Sequence, residues 1–297
     1  MVKHASSAGV IRETRRDQVF LAVLLVISTF ILVIELYPLI FVVSASFSDS
    51  DAISLGRVYL LPVNPSLDGY RMLLKEKDIL TGFKNSVIYL AVGTTVNMLL
   101  TMLLAFPLSR REMPGRNIIT FFVALTMYVS GGLIPTYLMI SNLGMVDTLW
   151  GIIVPNAIST TNMIIMRTYF QNSIPESLYE AAMLDGSNYT KYLLRVVLPL
   201  SMPIVAVIGL YYGVGHWNNY FDALIYLRST EKQSLQLVLR NILLANQVNS
   251  GDGSYSEASK LGVTIKYSVI VFSCIPMMIA YPFVQRFFIK GVMIGAI

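Results

Sequence analysis

The chain has 297 residues, of which 13% are charged and 55% belong to the hydrophobic types. A soluble domain carries about 25% charged residues, so this composition excludes a disordered chain, a coiled coil and an ordinary cytosolic enzyme. The net charge of +5 does not argue for nucleic acid, because membrane proteins collect Lys and Arg in their cytoplasmic loops.

One cysteine, Cys274, leaves no internal disulfide, and two histidines, His4 and His216, leave no histidine-based metal site. Six apolar stretches follow in order, at 18–46, 85–109, 117–140, 148–166, 196–215 and 267–285, and Glu35 is the one charge among them. A membrane helix needs about 20 apolar residues. Buried helices of a soluble protein would keep a solvated face, and these stretches have none. The pattern predicts an all-α membrane protein: a short segment 1–17, then one domain 18–297 with six transmembrane helices.

The first stretch follows Lys3, Arg12, Arg15 and Arg16 and ends on Ser44-Ala45-Ser46, as a signal peptide would. It is far longer than the apolar region of such a peptide, about 7–15 residues, and is expected to be retained. Glu35 precedes Tyr37-Pro38 near its outer end, where hydration or pairing explains it better than a proton relay. In the third stretch Ser130-Gly131-Gly132 and Pro135 are expected to loosen or bend the helix.

Orientation is read from the short loops. Loop 110–116 holds Arg110, Arg111 and Arg116, whereas loop 141–147 has no Lys or Arg. The positive-inside rule places 110–116 in the cytoplasm. Alternation then makes both termini and segment 167–195 cytoplasmic and leaves 47–84 and 216–266 outside. In a bacterium this is a multi-pass protein of the inner membrane.

In the fourth stretch Asn156, Ser159 and Thr160 stand at i, i+3 and i+4. Such a stripe either lines a water-filled path or bonds to neighbouring helices.

Segment 167–195 is too patterned to be a connector. Ser173-Ile174-Pro175-Glu176 has capping-box spacing, Leu178, Ala181 and Ala182 follow at helical spacing, and Gly186 stands where a helix ends. Ser187 or Asn188 is placed to cap a second helix running to Leu198, before Pro199. Small side chains at 181 and 182 would let another protein approach closely, although packing of this helix pair on its own bundle would use them equally well.

At the end of the fifth stretch and just beyond it, Tyr211, Tyr212 and Trp217 are aromatic groups near the outer mouth, where they would stack on a sugar or form an interfacial belt. In the long outer segment, Leu235, Val238, Leu239 and Ile242 predict an amphipathic helix lying on the bundle. Ser250-Gly251-Asp252-Gly253-Ser254 reads as a polar turn.

The string Glu180-Ala181-Ala182, then Gly186, Val196 and Leu198-Pro199, resembles the EAA loop of ABC-importer permeases, with Val where that pattern has Ile. Trp217-Asn218-Asn219-Tyr220-Phe221 with Leu224-Ile225 is similar to a stretch of sugar permeases, with Ala223 standing where that group often has Pro. The tail Arg286-Phe287-Phe288-Ile289-Lys290-Gly291, with Gly295, resembles the smaller permease of maltose-type importers. It is closest there to permeases that import oligosaccharides cut from polysaccharides, including the alginate importer.

The resemblance implies a paired second permease, two ATPase subunits docked on the EAA loops, and an extracytoplasmic binding protein that delivers an oligosaccharide. It implies ATPase coupling through Glu180, Ala181, Ala182, Asp185, Gly186, Leu198 and Pro199. It also implies contact with the binding protein through the outer loop, here Asn249, Ser250, Gly251, Asp252, Gly253 and Ser254. No Gly is followed by Lys anywhere, so the chain lacks the phosphate-binding loop of P-loop ATPases. ATP and Mg²⁺ are therefore expected on the ATPase partner, with no enzyme activity, cofactor or metal on this chain.

An ion-coupled secondary transporter would be favoured by inverted repeats and intramembrane acids; one acid and no repeat are seen. A membrane enzyme should show a nucleophile, metal ligands or paired carboxylates together. A permease for a solute other than sugar stays open.

Overall fold

Uninterrupted apolar sequence favours helices in a membrane because a helix meets its backbone hydrogen bonds internally. The computed structural model describes the backbone of residues 14–250 and 257–292, and side chains over 14–244 and 262–282 and at 285. Among these residues every regular element is a helix.

Helix α1, Arg15–Ser46, starts at a reciprocal cap: Thr14 Oγ1 accepts the N–H of Asp17, whose carboxylate accepts the N–H of Thr14. Most of α1 presents its apolar surface outward, Glu35 with it, until Ser44–Ser46 are buried. Helices α2, Ser50–Ser54, and α3, Asp68–Lys75, follow.

Helix α4, Lys77–Ser109, begins well before the apolar stretch at 85. Lys77, Asp78 and Lys84 lie outside a hydropathy count, yet Ile79 and Gly82 of the same turns are buried. It is the central helix.

The stretch 117–140 is not one helix. It is divided into α5, Arg116–Leu125, and α6, Leu133–Asn142, with Gly132 between them at φ +82°. The expected loosening is thus a complete break. The stretch 148–166 is also broken: α7, Leu149–Ile153, runs into a 3-10 turn, Val154–Asn156, and α8, Thr160–Ser173, leaves at 55°.

Helix α9, Glu176–Leu184, then leads to α10, Tyr189–Tyr192. A π turn, Leu193–Val197, and α11, Leu198–Leu200, prolong α10 into one rod, Tyr189–Leu200. That rod turns 85° into α12, Met202–Asn218, so the stretch expected as one helix from 196 is broken at Ser201. Pro199 and Pro203 lack the N–H groups that would carry a straight helix through the corner, and Ser201, fully buried, occupies it.

Then come α13, Phe221–Tyr226, and α14, Leu235–Ser250, before α15, Glu257–Val292, which carries Pro276 and Pro282 internally. Three described helices are long and apolar enough to cross a membrane, and the two bent pairs bring the number to five if each is one span.

The bundle closes around α4, with α12 and α8 against it. One core joins Phe106 and Leu108 of α4, Met163 and Met166 of α8, Tyr192 of α10 and Ile208 of α12. A second joins Leu73, Ile79, Trp217 and Val269 to Leu235, Val238 and Leu239 of α14, so α14 buries the face that its spacing predicts. Just before α7, Asp147 clasps the segment after α13. Its Oδ1 accepts the N–H groups of Arg228 and Ser229 at 3.0 Å, and its Oδ2 accepts Lys232 Nζ at 2.9 Å.

Candidate coupling site and polar pathway

The segment around α9 is built from a helix start that the sequence misassigned. Ser173 is the last residue of α8, and Pro175 is the N-cap of α9, with no side-chain cap. The expected box on Ser173 is therefore not formed. Pro175 itself stands outside the helical turn, at φ −58° and ψ 141°, and Glu176 lies 3.8 Å from Arg111 across an exposed gap. The other end matches the spacing: Asp185 is the C-cap, and Gly186 at φ +72° donates its N–H to Met183 O at 3.0 Å. Nothing lies within 4 Å of where a Cβ at 186 would stand, so the glycine serves the backbone conformation alone. Asn188 caps the next helix, its Oδ1 accepting Lys191 N–H at 2.8 Å.

A nine-residue helix on a surface is held by what one face touches. Tyr179, Ala182 and Met183, at i, i+3 and i+4, pack against the core of α4, α8 and α10. Glu180, Ala181 and Leu184 face away, and Leu184 is 90% exposed. The spacing Leu178, Ala181, Ala182 thus straddles two faces: Leu178 and Ala181 are exposed, and Ala182 packs inward.

The inward face is fixed by Arg110 at the end of α4. Its guanidinium lies 5.4 Å from the Phe106 ring centre, 5.5 Å from Tyr192 and 5.9 Å from Tyr179. Cation–π attraction strengthens where the cation is shielded from water, and Arg110 is only 9% exposed. Tyr179 stacks on Tyr189 and donates its hydroxyl to it at 2.9 Å. That bond pushes the Tyr179 hydroxyl pKa up to about 12, so it stays protonated throughout the physiological range.

The C-terminal carbonyls of α4 are met from α8: Arg167 Nε donates to Leu108 O at 2.8 Å and Gln171 Nε2 to Ser109 O at 3.4 Å. Cations at a helix C-terminus also complement its dipole. Leu198 is half-buried and Pro199 exposed, one turn before the 85° corner.

Within the bundle, Asn156, Ser159 and Thr160 do not form one helical stripe, because the break between α7 and α8 falls among them. Asn156 Nδ2 donates to Asp222 Oδ2 at 2.8 Å, and Thr160 Oγ1 lies 3.0 Å from Thr126 Oγ1. Ser159 N–H donates to the Tyr212 hydroxyl at 2.9 Å, which also lies 2.7 Å from Thr101 Oγ1.

The aromatic trio also divides. Trp217 is 1% exposed; its Nε1 donates to Ser273 O, and Phe83 packs edge-on against its ring. The Tyr212 ring is buried as well, and only Tyr211 has an open ring. Stacking of a sugar on Trp217 or Tyr212 is therefore not available in this conformation.

Polar residues missed in the sequence complete this region. Asn97 Nδ2 lies 3.1 Å from His216 Nε2 and donates to Asn156 O at 3.3 Å. The buried Asn97 Oδ1 and Thr94 Oγ1 have no hydrogen-bond partner among the described residues. A Cβ on Gly93 would lie 2.5 Å from His216 Nε2, so the close approach of α12 needs glycine there. The signal was present: Thr94, Asn97 and Thr101, at i, i+3 and i+7, make a polar stripe in an apolar helix. Asn249 and Ser250 end α14, and Gly251, Asp252, Gly253 and Ser254 lie outside the described residues.

No protein-family model matches the chain. It is similar to the polygalacturonan/rhamnogalacturonan transport system permease protein YtcP of Bacillus subtilis (strain 168), 40% identical over 262 residues that cover 88% of this chain and 91% of that one. Among solved structures it matches a chain of a bacterial ABC transporter involved in the import of the acidic polysaccharide alginate. That match has a TM-score of 0.84 and 34% identity and covers 93% of this chain and 99% of the other. A chain of a bacterial alginate ABC transporter in complex with an alginate pentasaccharide-bound periplasmic protein matches with a TM-score of 0.63 over 91% of this chain and 94% of the other, at 17% identity, and shows the fold alone. The polar bundle, the broken spans and these likenesses lead to one conclusion: the chain is a multi-pass membrane protein that belongs to the permease subunits of carbohydrate ABC importers.

Proposed function

We propose that this permease forms one half of a pore that carries an oligosaccharide, cut from a larger polysaccharide, into the cytoplasm. A second permease completes the pore. Two ATPase subunits hold ATP and Mg²⁺ and dock on α9 and its counterpart, and this chain catalyses no reaction itself. An extracytoplasmic binding protein delivers the sugar to the outer segment that ends α14, at Asn249 to Ser254. Both termini are cytoplasmic in this reading, and α9 with them.

One observation carries the proposal. Helix α9 is clamped on its inner face by the Arg110 cage and leaves Glu180, Ala181 and the 90% exposed Leu184 on its outer face. A clamped helix with a free apolar tip moves as a rigid body when a partner pushes it. The tip then transmits ATP-driven closure through Tyr179 and Arg110 to α4, and through the rod 189–200 to α12. Thr94 and Asn97 of α4, with Asn156 in the turn after α7 and Asp222 of α13, support a hydrated path beside α4.

Leu184→Ser in the assembled complex, reconstituted in vesicles, tests this. Sugar uptake should fall while insertion and pairing with the second permease persist. Wild-type uptake with wild-type ATP hydrolysis would remove α9 from the coupling path.

A further inference from the structure

Next to α9, at the same end of α4, two cavities meet at one residue. The first, of 280 Å³, is lined by Arg110, Arg111 and Arg116, with Glu176 as its one carboxylate. Arg111 and Glu176 stand 3.8 Å apart with side chains 82% and 49% exposed, too wet to neutralise one another strongly. Arg110 is nine-tenths buried, its Nε donates to Ser109 Oγ at 3.3 Å, and no carboxylate among the described residues reaches it. A buried guanidinium without a counter-charge is costly, and the three aromatic rings around it offset only part of that cost. The pocket calls for an anion.

The second cavity, of 420 Å³, shares Arg110 as a wall and is otherwise a mostly apolar groove of Leu103, Pro107, Met113 and Leu193, with Glu112 at its lining. Leu103 is 61% exposed, and Leu99 one turn away is 52% exposed, so the groove opens onto the apolar outer surface of α4. A free phosphate would fill the first cavity and leave the second empty. A molecule with an anionic head and an acyl tail fills both. The position agrees, because 110–116 joins two apolar helices at the level of lipid headgroups, on whichever side of the membrane that loop lies.

We propose that this double cavity binds an anionic phospholipid, its phosphate on Arg110, Arg111 and Arg116 and one acyl chain along the groove. A lipid seated there touches Glu176, the first residue of α9, and braces the 110–116 loop against that helix.

The test uses the whole complex in phosphatidylcholine vesicles doped with a trace of phosphatidylglycerol carrying a photoreactive group on an acyl chain. A phosphatidylcholine probe of the same design runs in parallel. Labelled residues are mapped by mass spectrometry. The phosphatidylglycerol probe should label residues 99–113 and 189–193 about tenfold more than the phosphatidylcholine probe. Arg111→Gln with Arg116→Gln should lower that label to about the level of the phosphatidylcholine probe, because two of the three basic residues near the headgroup are gone. Excess inorganic phosphate should leave it in place. Equal labelling by both probes overturns the proposal. Loss of label to phosphate shows a free-anion site instead. Label found only after the partner subunits are stripped away shows a protein interface instead. If the double variant fails to assemble, the ratio of the two probes on the wild type decides the question.

Discussion

The guanidinium of Arg110 stands 5.9 Å from the centre of the Tyr179 ring, which joins the end of the central helix α4 to the inner face of α9. The join holds its shape because Phe106 and Tyr192 close the cage from α4 and α10. Arg110→Leu keeps apolar volume in the cage and removes the cation. Uptake per ATP hydrolysed should fall about tenfold, equivalent to about 1.4 kcal/mol, with insertion unchanged. Paired measurements of uptake and hydrolysis in vesicles check it, and an unchanged ratio would mean the cage is packing alone.

Gly186 separates conformational strain from contact. No atom lies within 4 Å of its missing Cβ, and its φ is +72°. Gly186→Ala should destabilise the turn by about 1 kcal/mol from the left-handed backbone alone. Gly186→Pro cannot reach that φ at all and should abolish coupled uptake. Equal uptake by the two variants would show that the turn is not needed.

Asp147 links loop 141–147 to the segment after α13, and its left-handed φ of +60° suits Asn as well. The hydrogen bond from Lys232, then those from Ser229, hold its carboxyl well below the ordinary value of 3.8. A depressed carboxyl contributes stability above its unfolded value and loses it only as pH falls through the folded one. The clasp should therefore be constant through neutral and mildly acid pH and fail only well below 3.8. Asp147→Asn should cost about 1 kcal/mol, since Lys232 is half exposed and the pair is screened. Melting of the purified complex measures this; a gap between variant and wild type that closes already near neutral pH would contradict it.

Orientation is open to labelling. Gly144 and Gly115 have positive φ, so their exposed neighbours Asn142 and Glu112 are better sites for cysteine. With Cys274 replaced, Asn142→Cys should react with an impermeant reagent from outside, and Glu112→Cys only after the membrane is opened. The reverse pattern would invert the topology.

What was legible in the sequence is what depends on neighbours along the chain. The α14 face at Leu235, Val238 and Leu239, the Gly186 stop and the Asn188 cap all follow from spacing and backbone preference. What was not legible depends on groups far away in sequence. The break at Ser159 is tolerated because Tyr212, from α12, accepts its N–H. Burial of Trp217 follows from Phe83 and Ser273. Arg110 read as a loop charge until Tyr179 and Tyr192 enclosed it. The 85° corner at Ser201 had a local signal, two prolines four residues apart, which a hydropathy count does not weigh.

The central claim is that the outer face of α9 meets an ATPase. A photoreactive residue in place of Leu184, in the assembled complex in its membrane, tests it most directly. The account predicts one major adduct whose mass is that of this chain plus the ATPase subunit, diminished by Glu180→Lys. Adducts with lipid or with the second permease, and none with the ATPase, would contradict it.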